Sequence, residues 1–399
     1  MLPRIGLVPQ IIIGVVLGGL TALLAPGLAI QLGLLGQLFV AMLKAVAPLL
    51  VMLLVMSAIA NRHEREADSG RIMLTLGLYF TGTVTAAIVA LMLSTLFPQT
   101  IALTAAAEGS PPVAVTGVLR EVLFKLVDNP VNALLTGNFL GCLSWAILLG
   151  LSFRRASQTF RDQLQTLADG VADVVRYVIA LAPIGIFGLV CVTVASTGVA
   201  VLLDYASLAV LLVASMLVVA LLVNPFYVWL LTRRNPFPIV LTCLQESGVT
   251  AFFTRSSAAN IPVNLALAKK LGISEELYSV TIPVGATVNM AGAAITITTL
   301  TLAAANTLGV EVSLTQALVL CVISSLAACG ASGVPSGSLL LIPLACGLFG
   351  IPLETAMQVV AVGFVISVIQ DSAETALNSS TDVVYSYAAD HATFGREPS

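Results

Sequence analysis

Charge is what this chain has least of. Only 9% of its 399 residues are Asp, Glu, Lys or Arg, whereas soluble domains carry about 25%. So little charge cannot clothe a water-soluble surface, and a net charge of −3 excludes nucleic acid and other polyelectrolyte partners. Histidine is reduced to His63 and His391, which removes the commonest general base and metal ligand. The six cysteines (142, 191, 243, 321, 329 and 346) lie in apolar runs with no CxxC or other metal-type spacing. They read as small core residues without a redox role. No stretch suggests a soluble domain.

What is present is apolar: 58% of the residues are hydrophobic, so the chain reads as an all-α integral membrane protein. A helical span needs about 20 residues, and ordinary spans fit 8–26, 34–60, 72–97, 131–152, 174–197 and 205–232. A first transmembrane helix suits the opening run better than a cleaved signal, because apolar spans continue throughout. Arg62, Arg65 and Arg71 follow the second span, Arg154, Arg155 and Arg161 the fourth, and Arg233 and Arg234 the sixth. The loops after spans one and five carry no Lys or Arg, which places the amino terminus in the cytoplasm of a multi-pass inner-membrane protein. Arg120 and Lys125 dissent from this pattern. Residues 114–127 suit an interfacial helix. Lys44 reads as a snorkelling charge, Pro48 as a kink and Trp229 as an interfacial anchor.

The pattern changes after residue 235. Residues 237–270 are interrupted at Gln245-Glu246-Ser247 and again at Thr254-Arg255-Ser256-Ser257. Residues 314–350 are broken by the run from Gly330 to Ser338. Each half is too short to cross a bilayer, and broken backbone at membrane depth survives only against protein or a watery cavity. Two re-entrant helical hairpins follow. Between them, 278–305 is a helix interrupted at 285–292. Paired interrupted segments are the best sequence pointer to a transporter's binding site.

Residues 367–382 are a polar stretch in this apolar chain. At about 100° per residue, Asp371, Glu374, Thr375, Asn378 and Asp382 fall within roughly 60° of one line along a helix. A charge at the bilayer centre costs between about 3 and above about 10 kcal/mol, so such residues face a pathway and meet partners.

These motifs together resemble the dicarboxylate/amino acid:cation symporter family, the glutamate-transporter fold. The match lies in Thr254-Arg255-Ser256-Ser257, Gly285-Ala286-Thr287-Val288-Asn289-Met290 and Gly333-Val334-Pro335, with Asp371, Thr375, Asn378 and Asp382. Ala182-Pro183-Ile184-Gly185-Ile186-Phe187 is similar as well. The resemblance implies eight transmembrane helices plus two hairpins in a homotrimer with an elevator mechanism. Residues 1–66 and 99–200 would then be scaffold, and 67–98 and 201–399 the transport unit. No enzyme activity and no bound cofactor are implied, with sodium as a co-transported species.

By the same resemblance, Asp371 receives the substrate ammonium, helped by carbonyls of Arg255 and Val334. Asn378, Ser257 and the hairpin N–H groups hold the substrate carboxylate, and Ser256 and Thr375 are further substrate-binding positions. From the residues alone, a buried carboxylate needs a cationic partner, and an ion pair of Asp371 with Arg255 is the alternative. One sodium site takes carbonyls of Gly285, Asn289 and Asn378 with the Asp382 carboxylate. A second takes backbone oxygens of Thr287, Ala328, Cys329 and Ala331.

Three departures from the family pattern stand out. Acidic-substrate members carry an arginine where this chain has Glu374, and a glutamate repels an acidic side chain. A neutral hydroxyl amino acid fits better, its OH meeting Glu374 or Ser338, as in the family's sodium-coupled serine/threonine members. Alternatively, Glu374 pairs with Arg255. Second, Asn289-Met290-Ala291-Gly292 lacks an aspartate found in many relatives, and Phe80 and Val84 stand beside Thr83 where a tyrosine and a serine are expected. An additional sodium site is therefore absent. Third, Ser256-Ser257-Ala258-Ala259-Asn260 is poorer in hydroxyls than the usual hairpin tip.

Rival readings are a carrier of another neutral amino acid or of a dicarboxylate, a proton-coupled carrier using Glu374, a channel, and an intramembrane aspartyl enzyme. Asp371 and Asp382 lie about 16 Å apart along one helix, too far for a catalytic dyad.

Overall fold

The computed structural model describes residues 7–61, 69–103, 124, 126–198, 201–329 and 336–392. All regular structure among them is helical. Helices α1 (Leu7–Leu24), α2 (Pro26–Ala60) and α3 (Ser69–Leu96) open the chain. The expected span 131–152 divides into α4 (Pro130–Thr136) and α5 (Phe139–Phe153) at Gly137, whose φ of 65° ends the first piece. Among the described residues, four helical stretches are long and apolar enough to cross a bilayer: Gly70–Leu96, Leu203–Thr232, Glu275–Thr307 and Leu353–Asp390. The expected eight spans are therefore not read from helix length and composition alone.

The expected fifth span, 174–197, is corrected. Helix α6 (Gln158–Ala180) begins well before it, capped by Ser157 and burying Leu164, Ala168, Ala172, Val175 and Ile179 on one face. The chain then turns by 49° into α7 (Ala182–Thr197). Pro183, lacking an N–H, cannot continue the ladder through this point. Gly36 of α2 and Gly188 of α7 show why these helices lie so close. A Cβ on Gly188 would stand 2.6 Å from the Gly36 nitrogen.

Helix α8 (Val201–Val218) passes through a π-turn at Val219–Val223 into α9 (Asn224–Thr232). At its end the Arg233 guanidinium lies 5.2 Å over the Trp229 ring, which is 45% exposed. The first hairpin has one arm made of α10 (Phe237–Cys243), a π-turn at Leu244–Gly248 and α11 (Val249–Thr254). Its second arm is α12 (Ser257–Lys270). Gln245-Glu246-Ser247 is thus a π-turn within the arm rather than a break, and the tip is Arg255-Ser256. The interrupted helix is α13 (Glu275–Val288) and α14 (Ala291–Thr307), parted at Asn289-Met290. The second hairpin ascends as α15 (Leu314–Ala328) and descends through tight turns around α16 (Ile342–Cys346). Helix α17 (Leu353–Asp390) closes the chain.

Packing sorts these helices into two groups. Helices α1, α5, α6 and α7 pack on α2, whereas α3 and α8 to α15 pack around α17 and α14, with few contacts between the groups. Most of α17 is buried on every side from Gln370 to Ser386. Most of the interfacial helix expected at 114–127, and the Lys44 side chain, fall outside the described residues.

Candidate functional site

Both hairpin tips converge on Asp371. Arg255, the last residue before the first tip turns, has φ 51°, and Ser336 at the second tip has φ 54°. Side chains rarely adopt this left-handed conformation, and here it aims both residues at α17. Arg255 Nε and Nη2 donate to Asp371 Oδ2 at 2.7 and 2.5 Å. The Ser336 amide donates to Oδ1 at 3.1 Å. Arg255 Nη2 also donates to Ser336 Oγ at 3.4 Å, so one guanidinium links the two tips.

One turn on, Glu374 is buried, and its Oε2 accepts from Ser338 Oγ at 2.8 Å, Thr296 Oγ1 at 2.9 Å and Gln370 Nε2 at 2.5 Å. No cation pairs with it among the described residues. Arg255 goes to Asp371 instead, so the alternative Glu374–Arg255 pair does not form.

A further turn on, Asn378 Oδ1 accepts from the Gly292 amide at 2.7 Å, which fixes its side chain. Its Nδ2 meets the Met290 sulfur at 3.4 Å, a weak acceptor that a carboxylate would outcompete. Below it, Asn289 Nδ2 bridges the Asn378 carbonyl at 3.2 Å and Asp382 Oδ1 at 2.9 Å. Asp382 Oδ2 and Asn289 Oδ1 are buried without a hydrogen-bond partner. Gly285 leaves the space: a Cβ there would stand 2.5 Å from Asp382 Oδ1. Buried oxygens with no donor, beside a carboxylate and helix-end carbonyls, suit a hard monovalent or divalent cation.

Residues 7–392 match the Sodium:dicarboxylate symporter family. The chain belongs to that family. As a member of that family it is a multi-pass membrane transporter and not an enzyme, and sodium travels with the substrate rather than residing as a cofactor.

The other residues singled out in this symporter are placed as follows. The Thr375 hydroxyl donates to the Asp371 carbonyl of its own helix at 2.7 Å. Ser256 caps α12 by accepting from the Ala259 amide, and Ser257 opens that helix. Thr287 is exposed and donates to the Val284 carbonyl. Cys329 Sγ lies 3.4 Å from the Val288 carbonyl, which brings the end of α15, with buried Ala328, against the end of α13. Val334 and Ala331 lie outside the described residues.

Several residues around the site were not anticipated. Tyr79, one position before Phe80, is fully buried, and its OH donates toward the Thr281 and Asp382 carbonyls at 3.1 and 3.2 Å. Phe80 is 45% exposed, so a tyrosine is present on the inner face after all, at the neighbouring position. Asn260 and Asn264 of α12 clasp Ser379, and Asn224 beyond the π-turn of α8 joins Thr381 and Tyr385. The spacing of Asn260 and Asn264, four apart on an otherwise apolar arm, was the available signal.

Proposed function

We propose that this protein is a sodium-coupled symporter that imports serine and threonine across the cytoplasmic membrane. The observation that carries the choice of substrate is the identity and setting of residue 374. In place of a cation that would pair with an acidic side chain stands a buried glutamate, held by Ser338, Thr296 and Gln370. A second carboxylate brought against it would be repelled at low dielectric. A hydroxyl can donate to the Glu374 carboxylate, as the Ser338 hydroxyl does at 2.8 Å.

In this account Asp371 takes the α-ammonium and Asn378 Nδ2 the α-carboxylate, while Asp382 with Gly285, Asn289 and Asn378 holds sodium. Thr287, Ala328, Cys329 and Ala331 contribute a second cation position. The helices grouped on α2 serve as a fixed scaffold, and the group around α17 carries the cargo as an elevator. A homotrimer with cytoplasmic amino termini completes the proposal. Sodium and amino acid each favour the closed tips, so each raises the affinity of the other by the same factor.

Binding of labelled L-serine to the purified protein in sodium, competed with threonine, alanine and aspartate, tests the substrate. Displacement by threonine but not by aspartate is expected. Displacement by aspartate as strong as by threonine contradicts the proposal.

A further inference from the structure

Three donors meet on one oxygen of Glu374. Ser338 Oγ, Thr296 Oγ1 and Gln370 Nε2 all donate to Oε2, at 2.8, 2.9 and 2.5 Å. Among the described residues, the hydrogen bonds of this carboxylate thus end on Oε2 alone. Gln370 lies one turn earlier on α17, fully buried, and makes the shortest of the three. Its Nε2 also donates to Thr296 Oγ1 at 2.9 Å, which uses both N–H groups of the amide. Its own Oε1 is buried without a partner. An unsatisfied buried carbonyl is unfavourable. Glu374 is what turns the amide this way, because the reverse orientation would set Gln370 Oε1 against the carboxylate.

We propose that Gln370 is a positioning residue for hydroxyl recognition. With Thr296 and Ser338 it clamps Oε2 and leaves Oε1 of Glu374 as the acceptor for the hydroxyl of the amino acid. A carboxylate held by one bond keeps its side-chain freedom and must be ordered when ligand arrives, at a cost in affinity. One held three ways on a single oxygen is ordered beforehand. The hydroxyl then meets a fixed, charged and buried acceptor, the kind of partner that separates serine from alanine. Gln370 acts through Glu374 and touches no substrate atom. The inference rests on the reading of Glu374 as the seat of the substrate hydroxyl.

The experiment measures equilibrium binding of L-serine and L-alanine, at fixed sodium, to the unaltered protein, Gln370→Met, Glu374→Gln and the double variant. Met keeps the length and flexibility of the side chain without its N–H groups. In Gln370→Met, serine binding should weaken about tenfold while alanine binding stays within about twofold. Glu374→Gln should weaken serine binding about tenfold as well. Adding Gln370→Met to it should then weaken binding by about twofold at most, because the group being positioned is already altered. Thr296→Val removes another donor to Oε2 with little change of shape, and it takes the place of Gln370→Met, with the same expectations, if that variant fails to fold.

Unchanged serine binding in the folded variant overturns the inference while leaving the substrate reading intact. So does equal weakening of serine and alanine, or weakening that adds in full to that of Glu374→Gln, since the effect would then not run through the carboxylate. Alanine bound as tightly as serine by the unaltered protein shows that no hydroxyl is recognised, and overturns the inference together with the substrate reading.

Discussion

Asn289 and Asp382 share one hydrogen bond, 2.9 Å from Nδ2 to Oδ1, and Asn289 Oδ1 and Asp382 Oδ2 are both buried without a partner. Two orphaned oxygens facing a helix break would be costly in a purely structural role. A sodium ion that takes up those oxygens removes the cost.

Asp382→Asn removes the only carboxylate of this group and should weaken the sodium dependence of transport more than any other single change. Asn289→Ala removes the side chain that orients Asp382, and about 10- to 100-fold weaker sodium activation is expected, as for supporting residues of other cation sites. The sodium concentration for half-maximal serine uptake is the readout.

Gly285→Ala should act in the same direction for a steric reason. The added Cβ would stand 2.5 Å from Asp382 Oδ1 and 2.9 Å from the Tyr79 hydroxyl, so the carboxylate must move. Uptake at saturating sodium should fall, while Gly272→Ala, with nothing within 4 Å of its Cβ, reports only the strain of its positive φ.

Glu374→Arg should exchange specificity. A guanidinium facing Ser338 and Thr296 pairs bidentately with an acidic side chain, so aspartate should begin to compete with serine and threonine should compete less. Glu374→Gln should still exclude aspartate less strongly than the parent, because the repelling charge is gone. Competition curves for the two variants distinguish charge repulsion from simple crowding.

Asn260 donates to Ser247 and Ser379 and lies fully buried between the first hairpin and α17. Asn260→Ala strands the Ser247 hydroxyl, while Ser379 keeps its bond from Asn264, and a cost of about 1–3 kcal/mol is expected for the unsatisfied group. A lower thermal midpoint in detergent with unchanged sodium dependence is expected. The exposed Lys270–Glu246 pair lies at the other extreme, and Lys270→Met should shift the midpoint by little.

How much of this was legible in the sequence depended on whether a feature leaves a mark in residue type. The hairpin tip at Thr254–Ser257 and the break at Asn289-Met290 are polar interruptions of apolar runs, and the structure parts its helices there. The π-turns at Val219–Val223 and Leu244–Gly248 are not legible, because an i→i+5 bond needs no special residue. In sequence, the first half of helix α6 reads as a charged loop, because its charges conceal a single buried stripe. Tyr79, not Phe80, faces inward, and one residue of register turns a side chain by about 100°. The choice of Arg255 between Asp371 and Glu374 depended on where the first tip, 116 positions before Asp371, comes to rest, which no local pattern encodes.

The most direct test of the central claim is accumulation of labelled L-serine in proteoliposomes, with and without an inward sodium gradient. Uphill accumulation that needs sodium, is blocked by threonine, ignores aspartate and is lost in Asp371→Asn is the predicted result. Accumulation indifferent to sodium, or Asp371→Asn transporting normally, would contradict the account.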